Sequence, residues 1–145
     1  MLMVRRIAVA LVASVGLILG SVVSASAVDT GGVPFTVELT GAAEVAGGDP
    51  DGSGTATVTV NPGTGDVCWT IEITNVEVTE AHIHKAPAGV NGPIVVPFDP
   101  WDSGCTKIDR TLALDIVLHP ESYYVNVHNA EFARPLGALR GQLDR

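Results

Sequence analysis

Hydrophobic and polar residues alternate along most of the chain, and helical spacing is nearly absent. In FTVEL, residues 35–39, apolar side chains occupy every second position, and TATVTV, residues 55–60, repeats this pattern against threonines. VCWTIEI, residues 67–73, also places its large apolar side chains on one face. A period of two is typical of a strand with one buried face. These three segments therefore predict half-buried β-strands.

Four later segments are also predicted to be extended: VTEAHIHK, PIVVPF, YYVNVHN and GALRGQL, at residues 78–85, 93–98, 123–129 and 137–143. The turn residues of NPGTGD predict a hairpin between the second and third strands. TLALDIVLHP fits neither period and is expected to form one or two helical turns that end at Pro120. Many short strands with turn-rich connections are typical of an antiparallel β-sandwich or barrel. We therefore predict an all-β antiparallel sandwich of about seven to eight strands, with one short helical turn.

The first 27 residues have the order of a secretory signal peptide. Arg5 and Arg6 precede an apolar run at residues 7–20, and the small residues ASA at 25–27 form an A-x-A cleavage pattern. A retained anchor is disfavoured because the run is shorter than the roughly 18 to 20 apolar residues that span a bilayer. The pattern predicts cleavage after residue 27 and a secreted or cell-envelope protein, with no transmembrane segment in the mature chain.

Cleavage leaves 118 of the 145 residues, which suffices for one domain with a single core. We expect residues 28–34 to be a flexible lead-in and residues 35–145 to form that domain. The mature chain carries six basic and sixteen acidic residues, a net charge of −10. Nucleic acid is disfavoured as a partner because its phosphates would meet a surface of the same sign.

Cys68 and Cys105 are the only cysteines, and both lie in the part that is predicted to be exported. Disulfides persist in oxidising compartments, so a bond between these two residues is the economical interpretation. Two free thiols, or thiolate ligands to a metal, remain as alternatives at this point.

Two histidines lie one residue apart in EAHIHK, just before a loop rich in Gly, Pro and Asn. On a strand, a period of two places His82 and His84 on one face together with Glu80. Imidazoles about 7 Å apart along a strand can converge on one metal ion if a neighbouring strand supplies a third ligand. The spacing therefore indicates a candidate site for copper or zinc.

His128 is the candidate third ligand. In YYVNVHN it shares a face with Tyr124 and Asn126, so a suitable register would bring it to the first pair. His119, at the expected end of the helical turn, is less well placed. A structural alternative stays open, in which the imidazoles hydrogen-bond to the backbone and to each other and hold the Gly-rich loop against the sheet.

Four blocks of the sequence resemble the CHRD domain, a module described in chordin and found singly in exported microbial proteins. They occur in the family's order: FTVELTGAAEV, AHIH with GVNGPIVV, YYVNVHN, and LGALRGQL. The resemblance implies an extracellular, immunoglobulin-like or related β-sandwich that acts as a binding or structural module of unassigned biochemical role. The family has no established catalytic activity, and the expected partner is an unidentified extracellular protein or polysaccharide. After Glu44 the chain reads VAGGDP, where many members have a proline pair.

A looser similarity is to copper-zinc superoxide dismutases, which share a Greek-key β-sandwich, an H-x-H strand, a disulfide and an arginine near the C-terminus. Their dinuclear site needs more ligands than the four histidines of this chain, so dismutase activity is not expected. A mononuclear copper site stays compatible with three imidazoles. The alternative prediction is therefore a copper- or zinc-binding protein, and redox activity is an additional hypothesis.

Arg140 and Gln142 share a face of the last predicted strand. We expect Arg140 to have a structural role, as a buried or half-buried ion pair with Glu44 or Glu80. Together with Asn126, Arg140 and Glu44 complete the set of structural or ligand-contacting candidates.

Overall fold

The computed structural model describes residues 31–145, so the predicted signal peptide lies outside the described residues. The strands are β1 (Val33–Thr40), β2 (Ser53–Asn61), β3 (Asp66–Thr74), β4 (Glu80–Lys85), β5 (Ile94–Phe98), β6 (Ser103–Lys107), β7 (Tyr123–His128) and β8 (Leu139–Gln142). The helix α1 (Arg110–Leu118) lies between β6 and β7. β1 begins two residues before the predicted domain boundary, inside the stretch that was expected to be a lead-in.

The described strands form one antiparallel sheet in the order β5-β4-β7-β8-β1-β2-β3-β6. β8 and β1 are joined by a single residue pair, Arg140 with Thr40, so the sheet divides there into two halves. The apolar side chains of both halves and of α1 enclose one core. The predicted all-β antiparallel fold is confirmed, and its eight strands lie at the upper end of the expected number.

The predicted alternation is observed where one face of a strand packs on the core. In β1, Phe35, Val37 and Leu39 are buried, and every residue between them is exposed. The hairpin of β2 and β3 follows the same rule, with Asn61 opposite Asp66 at its turn. A period-two pattern therefore suffices to place these strands correctly.

β6 was not predicted from the pattern, because SGCTK has no run of alternating apolar residues. Gly104 is part of the reason that this strand can lie beside β3. A Cβ atom at this position would lie 2.9 Å from Cζ2 of Trp69, so a larger residue would displace the indole. The indole ring stacks on Phe98, with ring centroids 4.5 Å apart. Packing against Trp69, and not local β-propensity, explains this edge strand.

The helix α1 is confirmed, although its nine residues exceed the one or two turns that were expected. Asp109 begins it by accepting hydrogen bonds from the N–H groups of Thr111 and Leu112. Three residues on one side, Ala113, Ile116 and Val117, are buried against the sheet. The helix therefore closes one end of the core.

The disulfide between Cys68 and Cys105 is confirmed, and both alternatives for the two cysteines are wrong. The two residues lie directly opposite each other on β3 and β6. The bond thus ties the edge strand β6, which has little apolar surface of its own, to the centre of this half of the sheet.

Replacing both cysteines by serine is expected to lower the free energy of unfolding by about 3 kcal/mol, because the unfolded chain loses a covalent loop closure. The loop spans 37 residues. Urea denaturation of the Cys68→Ser/Cys105→Ser protein measures the change. The reduced wild-type protein is the matched control and should lose a similar amount; a change below about 1 kcal/mol in both would contradict the prediction.

Candidate metal centre

β4 and β7 are neighbours, and their register brings the three candidate histidines together. Glu80 lies opposite His128, and His82 lies opposite Asn126. Side chains at alternate positions point to the same face. His82, His84 and His128 therefore lie on one face of the two strands, and their ring centroids are 5.3 to 6.3 Å apart.

Two loops cover this face. All six residues of β7 are buried, because one face packs on the core and the other lies beneath the loops at residues 86–93 and 129–138. The exposed fractions of His82, His84 and His128 are 6%, 7% and 1%. The histidines are thus removed from water although they point away from the hydrophobic core.

The same loops determine which nitrogen of two imidazoles carries the proton. Nδ1 of His84 lies 2.9 Å from the carbonyl oxygen of Gly92, and Nδ1 of His128 lies 3.2 Å from that of Phe132. A carbonyl oxygen can only accept a hydrogen bond, so each Nδ1 is the donor. In the neutral ring Nε2 then carries the lone pair.

In His82 the two ring nitrogens have exchanged these roles. Its Nε2 lies 3.4 Å from a carboxylate oxygen of Glu80. This negative charge favours the ring proton on Nε2, which leaves the lone pair on Nδ1. The other carboxylate oxygen of Glu80 accepts a hydrogen bond of 2.8 Å from Nε of Arg134. Glu80 therefore bridges an imidazole and a guanidinium.

One nitrogen of each histidine remains unpaired within this cluster. Nδ1 of His82, Nε2 of His84 and Nε2 of His128 are buried without a hydrogen-bond partner in the described structure. One ring nitrogen from each of the three histidines lies within 4.8 Å of one ring nitrogen of each of the others. A buried polar atom without a partner costs about 1 to 3 kcal/mol. Bonds of about 2.0 Å from three nitrogens to one ion require nitrogens about 3.5 Å apart, so a shift of about 1 Å would complete a three-coordinate site.

The histidines are held in the neutral form that binds metals. Burial lowers the pKa of His82 to about 4, opposed by the negative charge of Glu80. Burial also lowers the pKa values of His84 and His128, against the opposing effect of their backbone carbonyl partners. A metal ion at neutral pH would therefore displace few protons from this site.

The metal-free protein is expected to lose stability as the pH falls from 6.5 to about 4. In this window the unfolded chain protonates His82, whose ordinary pKa is 6.5, while the folded protein resists protonation down to about 4. The folded state binds fewer protons, so its stability is full above pH 6.5 and falls with the pH. His82 alone accounts for about 2 to 3 kcal/mol, with allowance for partial screening by solvent.

Urea denaturation of the metal-free protein at several pH values measures this loss. The His82→Gln protein is the matched control, because its side chain has no charge to gain. A pH dependence as steep in the variant as in the wild type would show that His82 is not its source.

Arg140 does not form the ion pair that was expected with Glu44 or Glu80, and this expectation is wrong. Its guanidinium group donates hydrogen bonds to the carbonyl oxygens of Val90, at 3.0 Å, and Pro87, at 2.9 Å. Arg140 is 1% exposed. The physical reason is that the loop at residues 86–93 folds over the end of β8 and presents its carbonyl groups to the cation.

Tyr124 connects Arg140 to the histidines. One side of its ring stacks on His84, with centroids 4.9 Å apart, and the guanidinium carbon of Arg140 lies 3.4 Å from the ring centroid. The Tyr124 hydroxyl accepts a hydrogen bond of 3.2 Å from the N–H of Gly92, whose carbonyl oxygen accepts from His84. A closed set of contacts thus fixes both the imidazole and the loop above it.

Glu44 and Asn126 contact each other beside this set. The Asn126 amide donates one hydrogen bond to Glu44 and a second, of 2.9 Å, to the carbonyl oxygen of Leu139. Burial raises the pKa of Glu44, opposed by the Asn126 hydrogen bond and the charge of Arg140. Both residues support the strand β8 and the loop that precedes it; neither offers a ligand atom to the histidine cluster.

The remaining histidine, His119, is exposed at the end of α1, away from the cluster. Two residues near the centre were not identified from the sequence. Tyr124 shares the face of His128 in the alternation, and this signal could have singled it out. Arg134 belongs to an irregular loop, where no periodic pattern indicates which way a side chain points.

None of the helices in residues 31–145 is long and apolar enough to cross a membrane. No curated protein and no solved structure matches the chain. A family model does match: the CHRD domain, over residues 35–143. This range runs from β1 to the residue after β8 and includes the three histidines, so the chain belongs to the CHRD domain family.

Proposed function

We propose that this protein binds one transition-metal ion, with copper preferred over zinc, through His82 Nδ1, His84 Nε2 and His128 Nε2. Two observations support it: each of the three histidines has a buried nitrogen without a hydrogen-bond partner, and one nitrogen from each histidine lies within 4.8 Å of those of the others. If the histidines served only to hold the loop, these atoms would have no reason to be left unsatisfied at the same point.

The contacts behind the three rings support the same proposal. His84 and His128 donate from their other nitrogen to the carbonyl oxygens of Gly92 and Phe132, and the other nitrogen of His82 faces the Glu80 carboxylate. Metal-binding histidines are typically oriented by such partners, which select the tautomer and raise the basicity of the ligand nitrogen. The groups behind the three rings therefore support the proposal, because they would orient the candidate ligands.

The donor set favours copper. Imidazole nitrogen suits copper and zinc, whereas calcium and magnesium require oxygen ligands that this cluster does not offer. Among divalent ions a given nitrogen site binds copper more tightly than zinc. Reversible change between Cu(I) and Cu(II) would extend the proposal to redox chemistry, which stays a prediction.

Titration of the metal-free protein with Cu(II) and Zn(II) tests the proposal. We expect one copper ion per chain, a dissociation constant below the micromolar range, and nitrogen hyperfine structure from imidazoles in the electron paramagnetic resonance spectrum. Zinc should bind at the same site and be displaced by copper. Failure of both ions to bind at micromolar concentration would contradict the proposal.

We also propose that the mature protein is exported after cleavage behind Ala27. The signal-like N-terminus and the disulfide between Cys68 and Cys105 support this location. N-terminal sequencing of protein recovered from the culture medium or cell envelope tests it, and a cell-retained chain that begins at Met1 would contradict it. Binding of an extracellular protein or polysaccharide, expected from the family, stays a prediction.

A further inference from the structure

A cavity of about 270 Å³ lies beside the histidine cluster. It is lined by His84, His128, Tyr124, Asn126, Ile94 and Arg134, with parts of the two covering loops. His82 does not line it. The cavity therefore meets the cluster on the side of His84 and His128.

We propose that this cavity binds a small exogenous anion, which occupies the open coordination position of the metal ion and pairs with Arg134. The inference rests on the proposed metal site and names the class of ligand that the site accepts. Anions of azide, halide or short-carboxylate size have the required charge and dimensions.

The position of the cavity supports this assignment. The three ligand nitrogens come from two adjacent strands, so the strands cover one side of a bound ion. Three protein ligands leave at least one position for water or another molecule, as in metal sites that exchange ligands. His84 and His128 belong both to the cluster and to the cavity wall, so an ion that they bind would lie next to this space.

The uncompensated charge of a bound divalent ion favours an anion over water as the additional ligand. Three neutral imidazoles leave the full charge of a divalent ion uncompensated in a buried place, which is unfavourable. The nearest acidic side chain, Glu80, already contacts both His82 and Arg134. Its charge is thus largely matched by the guanidinium, and a further negative charge would stabilise the loaded site.

Arg134 is suitably placed to bind the second end of such an anion. In the described residues only its Nε donates a hydrogen bond, to Glu80, so the two terminal amino groups remain for a ligand. Arg134 lines the cavity together with His84 and His128, and it contacts Glu80, which in turn contacts His82. Although Glu80 balances its charge, the terminal N–H groups of this guanidinium on the cavity wall can donate to an anion.

The size of the cavity restricts the ligand. Water in the liquid occupies about 30 Å³ per molecule, so a space of about 270 Å³ holds about nine water molecules, or a small anion together with several. Pockets for larger organic ligands typically enclose about 300 to 1,000 Å³. The cavity therefore suits small anions better than extended substrates.

Azide titration of the copper-loaded protein tests the inference. Copper content is measured first; we then expect a new azide-to-copper charge-transfer band and a changed electron paramagnetic resonance spectrum, both saturable. Arg134→Gln removes the guanidinium and Ile94→Phe fills the cavity, and each should weaken azide binding at least tenfold at full copper loading. Arg110→Gln, at the start of α1 and away from the cavity, is the matched control and should bind azide as the wild type does.

The outcomes separate the two proposals. If copper binds one to one and azide leaves both spectra unchanged, the anion site is wrong and the metal site stands. If azide binds equally well to the wild type, Arg134→Gln and Ile94→Phe, the anion reaches the metal by another route and this cavity is not its site. Absence of bound copper at the first step would overturn both.

Discussion

The His84→Ala protein is expected to bind copper about a thousandfold more weakly than the wild type, a loss of about 4 kcal/mol of binding free energy. The substitution removes one of three ligand nitrogens, and it also removes the hydrogen bond to Gly92 that holds the covering loop. Only two imidazoles then remain to bind the ion. Isothermal titration in the presence of a competing chelator measures both affinities.

His119→Ala is the matched control, because this histidine is exposed and lies outside the cluster. Its copper affinity should equal that of the wild type, while His82→Ala and His128→Ala should resemble His84→Ala. If all four variants bind copper equally, the metal is held elsewhere and the assignment of the site is wrong.

The stability of the metal-free variants distinguishes a metal centre from a purely structural cluster. In the metal-free protein each histidine leaves one buried nitrogen without a partner, which offsets part of what its other hydrogen bond contributes. Replacing His128 by Phe should therefore cost little stability while it weakens copper binding as much as His128→Ala does. A large loss of stability with unchanged copper affinity would favour the structural interpretation.

The face shared by the histidines could be predicted because a strand has only one side-chain period. His82, His84 and His128 belong to segments with clear alternation, so their common face follows from the sequence once the segments are recognised as strands. The same reasoning failed for β6, where Gly104 and Cys105 carry no apolar pattern. Its place depends on a tertiary contact with Trp69 and on the disulfide to Cys68.

What covers the histidine face could not be predicted. The acceptors that fix the tautomers are carbonyl groups of Gly92 and Phe132, and backbone carbonyls are present at every position of a sequence. Arg134 reaches Glu80 from an irregular loop, where no periodicity indicates side-chain direction. The alternation thus located the candidate ligands, and the fold of two loops determined their chemistry.

The contacts of Arg140 could not be predicted from the sequence either. Its position on β8 indicated a structural role, and the expected partners were carboxylates because a buried cation usually needs an opposite charge. The structure instead surrounds the guanidinium with two loop carbonyls, the amide oxygen of Gln142 and the ring of Tyr124. Glu44 contributes only through its charge, without a direct contact. The loop and the cation therefore depend on each other.

Replacing Arg140 by alanine is accordingly expected to lower the free energy of unfolding by about 4 to 5 kcal/mol. The change removes three charge-assisted hydrogen bonds and leaves a cavity beneath the loop at residues 86–93. Tyr124 loses the cation on one side of its ring, so the stack that positions His84 loosens as well. We expect copper affinity to fall about 10- to 100-fold, as for other groups that orient metal ligands.

Arg140→Lys separates the two effects, because lysine keeps the charge but lacks the planar group that reaches two carbonyls and stacks on Tyr124. It should recover part of the stability and little of the copper affinity. Arg110→Ala, which removes an exposed arginine with one backbone contact, is the control and should change neither by a comparable amount. Urea denaturation and copper titration of the four proteins measure both quantities. Unchanged copper affinity in a folded Arg140→Ala protein would show that the position of His84 does not depend on this stack. A loss of stability alone would change the urea denaturation curve but not the copper titration.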